Sequence, residues 1–220
     1  MRVLFFISLV CCFSNLFAQN SVSVGLQLSP TISTILDKGT ISNYGYQGSL
    51  NFGATVVVQR GRWAFTSGIS HQKLGTRFET EHTTTDFPGG TGDFYDVYIN
   101  TYTIVLPLRI HYNIPLGEKL NFFPIAGVHT GYMNSQKLQY TNQFVSPPIE
   151  RNSSIILYSE FYLALFAGAG FNYIINQDWS FDIIPGCSYQ IDTLKLKSSV
   201  STTLGILAFS LELGVKYKLR

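Results

Sequence analysis

From position 207 to 219 every second residue is apolar: Leu207, Phe209, Leu211, Leu213, Val215, Tyr217 and Leu219, with Ser210, Glu212, Gly214, Lys216 and Lys218 in the gaps. A period of two sends successive side chains to opposite faces, so this stretch is predicted as a β-strand with one apolar and one polar face. The alternation recurs along the chain. Strands are predicted near 22–29, 49–58, 63–70, 98–112, 120–132, 160–173 and 179–189, which with the last makes eight. In the fourth, Tyr102, Ile104, Leu106, Leu108 and Ile110 share one face; in the sixth, Phe161, Leu163, Leu165, Ala167, Ala169 and Phe171 do.

The connections between these strands differ in length in an ordered way. Arg60-Gly61-Arg62, 113–118 and 174–178 are short, whereas 35–44, 73–96, 134–159 and 192–199 are long and polar. Short turns alternating with long loops put every long loop at one end, as in bacterial outer-membrane barrels. No apolar run after the first 18 residues reaches the roughly 18 residues of a membrane helix. A chain of this kind enters a bilayer only as a closed barrel, which alone satisfies every strand's backbone groups in hydrocarbon. The expectation is therefore an all-β fold, an eight-stranded antiparallel up-and-down transmembrane β-barrel. Ten strands remain open if a long loop hides another membrane hairpin.

Composition supports that solvent. Of the 220 residues 13% are charged and 15% aromatic, against roughly 25% charged in an average soluble domain. A net charge of +2 without a basic run sets nucleic acid aside as a partner. Residues 1–18 have the form of a signal peptide, with Arg2 before a short apolar core and a small-residue cleavage site between Ala18 and Gln19. That leaves 19–220 as the barrel domain. Removal of the signal takes Cys11 and Cys12 with it and leaves Cys187 as a small strand residue with no internal disulfide partner.

The Leu, Val, Phe and Tyr face is assigned to lipid, and the small polar face of Gly, Ser, Thr and Asn to the lumen. A soluble lipocalin-like barrel would invert the two faces. Trp63 and Trp179 open strands after short turns, while Tyr112 and Tyr173 close strands before them, where an interfacial aromatic girdle belongs. Arg109, Glu160, Asp182, Glu212 and Lys216 all fall on the lumen face. On the lipid face a base among them would cost about 2–4 kcal/mol near the midplane. They are expected to form a structural charge network, with Arg109 neutralising Glu160 and Asp182. Pro107, Pro124 and Pro185 lie inside predicted strands, and local bulges are expected there because a closed barrel offers no edge.

Enzymatic chemistry has little support. His82 and Asp86, in a hydroxyl-rich loop, are the one His and carboxylate pair near the outer rim, and a lipid-modifying site there is the enzyme alternative. His71 is placed near a strand end, and His111 and His129 fall on lumen parity as hydrogen-bonded plug residues. No Gly-x-Ser-x-Gly, HExxH or paired-Cys motif is present, so no catalytic, cofactor-binding or metal residue and no cofactor is assigned. The partners expected are outer-membrane lipid and, through the long loops, other envelope or secretion proteins. Tyr95, Tyr98, Tyr140, Phe144 and Tyr158 supply aromatic contact area near those loops.

The succession Trp63-Ala-Phe-Thr-Ser-Gly68, Tyr102-Thr-Ile-Val-Leu-Pro-Leu-Arg109, Phe123-Pro-Ile-Ala-Gly127 and Phe166-Ala-Gly-Ala-Gly170 resembles the PorT-like family of small outer-membrane barrels common in Bacteroidota. The resemblance spans nearly all of 19–220. It implies eight antiparallel strands in the outer membrane and no assigned activity for most members; one member type takes part in protein secretion. The chain departs from the usual aromatic C-terminus, ending Tyr217-Lys218-Leu219-Arg220.

Overall fold

The computed structural model describes residues 21–37, 44–82, 93–142, 151–153, 161–191 and 204–219. Eight strands form the wall: β1 Ser21–Asp37, β2 Tyr44–Arg60, β3 Trp63–His82, β4 Asp93–Tyr112, β5 Leu120–Asn142, β6 Phe161–Ile174, β7 Trp179–Gln190 and β8 Leu204–Leu219. Each pairs antiparallel with its sequence neighbours, and β8 pairs with β1 over the run from Val22↔Leu219 to Asp37↔Leu204, which closes the barrel. Two short pieces, Ile114–Pro115 and Arg151–Ser153, pair only with β5. Among the described residues there is no helix, and the closed eight-stranded antiparallel barrel agrees with the predicted class.

Side-chain parity follows the alternation. Leu26, Leu28, Ile32, Leu50, Phe52, Ile69, Leu106, Ile110, Leu165 and Phe209 stand exposed on the outside, and Ser29, Thr31, Ser33, Thr55, Thr66, Thr103, Arg109 and Glu212 are buried inside. In water so many exposed large apolar residues would be an aggregation hazard; facing acyl chains they are matched to their solvent.

The interior is less uniformly polar than expected. Tyr162, Phe123 and Phe166 are buried in the lumen, and Phe123, Ile125 and Phe166 pack together with Ile184 against them. Glycine makes the room for two of these rings. A Cβ at Gly170 would lie 2.5 Å from the Phe123 ring, and one at Gly186 would lie 2.6 Å from the Phe166 ring.

Prolines sit in strands without the expected bulges. The β3–β4 ladder runs to Ser67↔Leu108 and resumes at Ser70↔Val105 in the same register, skipping Pro107. The β6–β7 ladder likewise skips Pro185, and the β8–β1 ladder skips Pro30. Pro124 lies where β5 passes from pairing β4 at His111↔Ile125 to pairing Ile114 through Phe122. Each missing N–H therefore falls in a gap toward one neighbour, while the other neighbour holds the register through it, as Pro124↔Ala169 does.

Real register shifts occur elsewhere, between Tyr46 and Phe52 on β2 and between Tyr102 and Thr103 on β4. At the first, two amides of β3 lose their ladder partners and are taken by side chains instead: Lys73 N–H donates to Asn51 Oδ1 at 2.7 Å and Gly75 N–H to Ser33 Oγ at 2.9 Å. These two side chains thus stand in for ladder partners across the shift.

The strands differ in reach. A tilted strand crosses a bilayer in about 9–11 residues, yet β3 and β4 have 20 residues each and β5 has 23. Beyond the span these three stay paired, through His82↔Asp93 on one side and Tyr95↔Asn142 on the other. Stretches expected as loops within 73–96 and 134–159 are thus partly a raised hairpin structure. Their sequence is more polar and the alternation weaker there, although Leu74, Thr76, Ile99 and Thr101 on the lower part of this extension are still buried.

Candidate functional site

The lumen is crossed by charge toward its short-turn end. Arg109 on β4 meets Glu212 on β8 in a bidentate pair, Nη1 to Oε2 at 2.6 Å and Nη2 to Oε1 at 2.8 Å. In the closed ring β4 and β8 are four strands apart either way round, so the pair spans the barrel's diameter. Arg109 Nε donates to His129 Nε2 at 2.9 Å, which uses the third edge of the guanidinium. An accepting Nε2 requires the ring proton on Nδ1 and a neutral imidazole. Below the guanidinium lies the Phe166 ring, 4.0 Å away, on which His129 also stacks at 4.9 Å. A planar cation between a carboxylate fork and an aromatic face is the environment that suits arginine and not lysine.

A second pair lies nearby. Lys216 Nζ on β8 stands 2.5 Å from Asp182 Oδ2 on β7, and Asn172 Nδ2 on β6 donates to Asp182 Oδ1 at 2.6 Å. His111 packs on Phe123 at 4.7 Å, with Thr66 Oγ1 at 3.5 Å from its Nδ1. The void among these groups is about 30 Å³, room for a water or two and not for a solute. Chemically the arrangement can brace and seal; both histidines are buried and packed against rings.

The expected network is thus brought together with different partners. Arg109 was expected to neutralise Asp182, but Asp182 is matched by Lys216 and Arg109 by Glu212. Proximity in sequence could not give this pairing, because strand stagger decides which side chains meet across the lumen. Glu160 lies outside the described residues, as do Ala18, Gln19, Asp86, Phe144 and Tyr158, and the side chains of His82, Tyr95 and Tyr140. Phe166, Phe123 and Asn172 were missed as members of the site. The doublets Phe122-Phe123 and Leu165-Phe166, which put a large apolar residue on both faces, were the available signal.

At the short-turn end Trp63 meets Tyr112 edge-on at 4.9 Å and Trp179 meets Tyr217 at 5.1 Å, all facing outward with Tyr173. Tyr217 therefore belongs with the aromatic positions read from sequence. His71, expected near a strand end, lies within β3, stacked on Phe52 at 5.2 Å.

Residues 17–183 match the model of the outer membrane protein beta-barrel domain family. No curated protein matches the sequence. Among solved structures the chain is similar to Ail, the attachment invasion locus protein of Yersinia pestis, at 14% identity and a TM-score of 0.41, covering 91% of this chain and 99% of that one. It is similar to the N-terminal β-barrel domain of Pseudomonas aeruginosa OprF at 12% identity and a TM-score of 0.41, over 91% and 100% of the two chains. The Escherichia coli outer membrane protease OmpT gives 7% identity and a TM-score of 0.47, over 90% and 97%.

Proposed function

Because this chain belongs to the outer-membrane protein β-barrel family and so to the bacterial outer membrane, we propose that it serves there as a sealed, non-enzymatic anchor. Its working part is the raised structure of β3, β4 and β5. The observation that carries this reading is the contrast between the two ends of the same strands. Inside the membrane the lumen is braced shut by Arg109–Glu212 and Lys216–Asp182. Above it three strands continue paired for roughly ten residues each, a rise of about 25 Å at the usual strand tilt. A plugged barrel moves no solute, and long ordered hairpins present surface to a partner.

Within the family we assign the chain to the PorT-like barrels, exported on the signal at 1–18, with an envelope-assembly or secretion partner held by the raised strands. The test is the size of the complex extracted from outer membranes in mild detergent. The intact protein is expected to migrate well above the barrel's own mass. A chain in which residues 78–97 are replaced by a short turn is expected to keep its boiling-dependent gel shift but migrate as the barrel alone. An intact protein that migrates as a lone barrel would overturn the proposal.

A further inference from the structure

Two lysines converge on one outward tyrosine. Lys73 Nζ of β3 lies 6.0 Å and Lys137 Nζ of β5 5.7 Å from the centre of the Tyr102 ring on β4. Tyr102 shares the outward parity of Ile110, Leu106 and Ile104, and His71 on the same face packs against it at 6.0 Å. The pair Lys73↔Tyr102 stands ten residues above the girdle pair Trp63↔Tyr112. At about 3.3 Å per residue and the usual tilt this is a climb of roughly 25 Å, one apolar band, so the lysines sit at the far headgroup level.

A single ring does not account for two ammonium groups, which repel each other. Among the described residues no carboxylate pairs with either lysine, whereas the lumen matches both of its cations. An outward apolar groove of about 940 Å³ adjoins this cluster at His71 and Ile104 and runs across the wall past Phe52, Ile69, Ala54 and Leu28 to Leu213 and Phe181. Beside Ala54 a Cβ at Gly68 would overlap the Ala54 carbonyl oxygen, so glycine lets the two strands close in there.

We propose that this corner of the outer surface binds a phosphorylated lipid of the facing leaflet. Its phosphate is held between Lys73 and Lys137 beside Tyr102, and an acyl chain lies along the groove over Ala54. The proposal rests on the barrel crossing the membrane and goes beyond it to a site on the wall. Anionic oxygen supplies the counter-charge that no described carboxylate gives the two lysines, and the groove supplies contact that a free anion would not use.

The test is native mass spectrometry of the detergent-folded protein with bisphosphorylated lipid A and with the same lipid stripped of its phosphates. The intact protein is expected to retain the phosphorylated form preferentially. In K73Q/K137Q retention is expected to fall roughly thirtyfold, the loss of two cations at membrane level, while K218Q, at the opposite end, retains lipid as the intact protein does. Equal retention of both lipids by the intact protein would overturn the proposal without requiring any variant to fold; so would undiminished retention by a K73Q/K137Q protein with a normal boiling-dependent gel shift. Failure of the intact protein to show that shift would instead count against the membrane barrel itself.

Discussion

Arg109 shows how much one buried residue commits its surroundings. It is 2% exposed and spends its guanidinium donors on Glu212 and His129. Removing one member of such a pair strands the other charge in a dry interior, so Glu212→Leu is expected to lower stability by about 3–5 kcal/mol. Replacing both, as R109L/E212L, is expected to recover most of that loss, because the desolvation cost leaves with the attraction. Urea unfolding midpoints of the vesicle-folded barrel distinguish the two; a double variant as unstable as the single would contradict the account. The lumen position of both residues was legible from parity alone. Their partnership was not, since it depends on the stagger between strands that never touch along their backbones.

The elements carry the two-faced pattern, and they also mark where it stops. Ile69 is 60% exposed on β3 and stands six residues above Trp63, near the middle of the apolar band. Ile69→Arg is expected to cost about 2–4 kcal/mol of folding free energy in lipid vesicles. A barrel with its apolar face inward would accept the change, so an unaffected folding yield would reverse the assignment of faces. Within the span each strand was legible through strict alternation. Above it, from Gln72 on β3 and Asn134 on β5, alternation lapses and the strands were read as loops. The prolines misled for a related reason: a barrel has no edge, yet one skipped rung toward one neighbour is enough to accommodate the ring.

At the scale of the whole molecule the described residues form a wall whose outer surface is apolar, whose interior is packed at the charged level, and whose strands β3, β4 and β5 extend beyond it. With a void of about 30 Å³ at the charged level, purified protein in a planar lipid bilayer is expected to pass no current above the lipid background. Stable conducting steps would show that the interior rearranges into a channel. The fold class was readable because lipid imposes one rule on every strand. The lumen's aromatic packing was less so, because Phe123 and Phe166 depend on glycines of other strands for their space.

The last strand supplies both halves of the neutralisation: Glu212 answers Arg109 across the lumen, and Lys216 answers Asp182 beside it. Until β8 arrives, a nascent barrel of seven strands holds an arginine and an aspartate without their counter-ions, as well as two unpaired edges at β1 and β7. Closing the backbone and cancelling the charge are then a single event. A chain cut short before position 212 would keep Arg109 without its carboxylate, Asp182 without its lysine and the sheet without its closing strand, three deficits that one strand removes together.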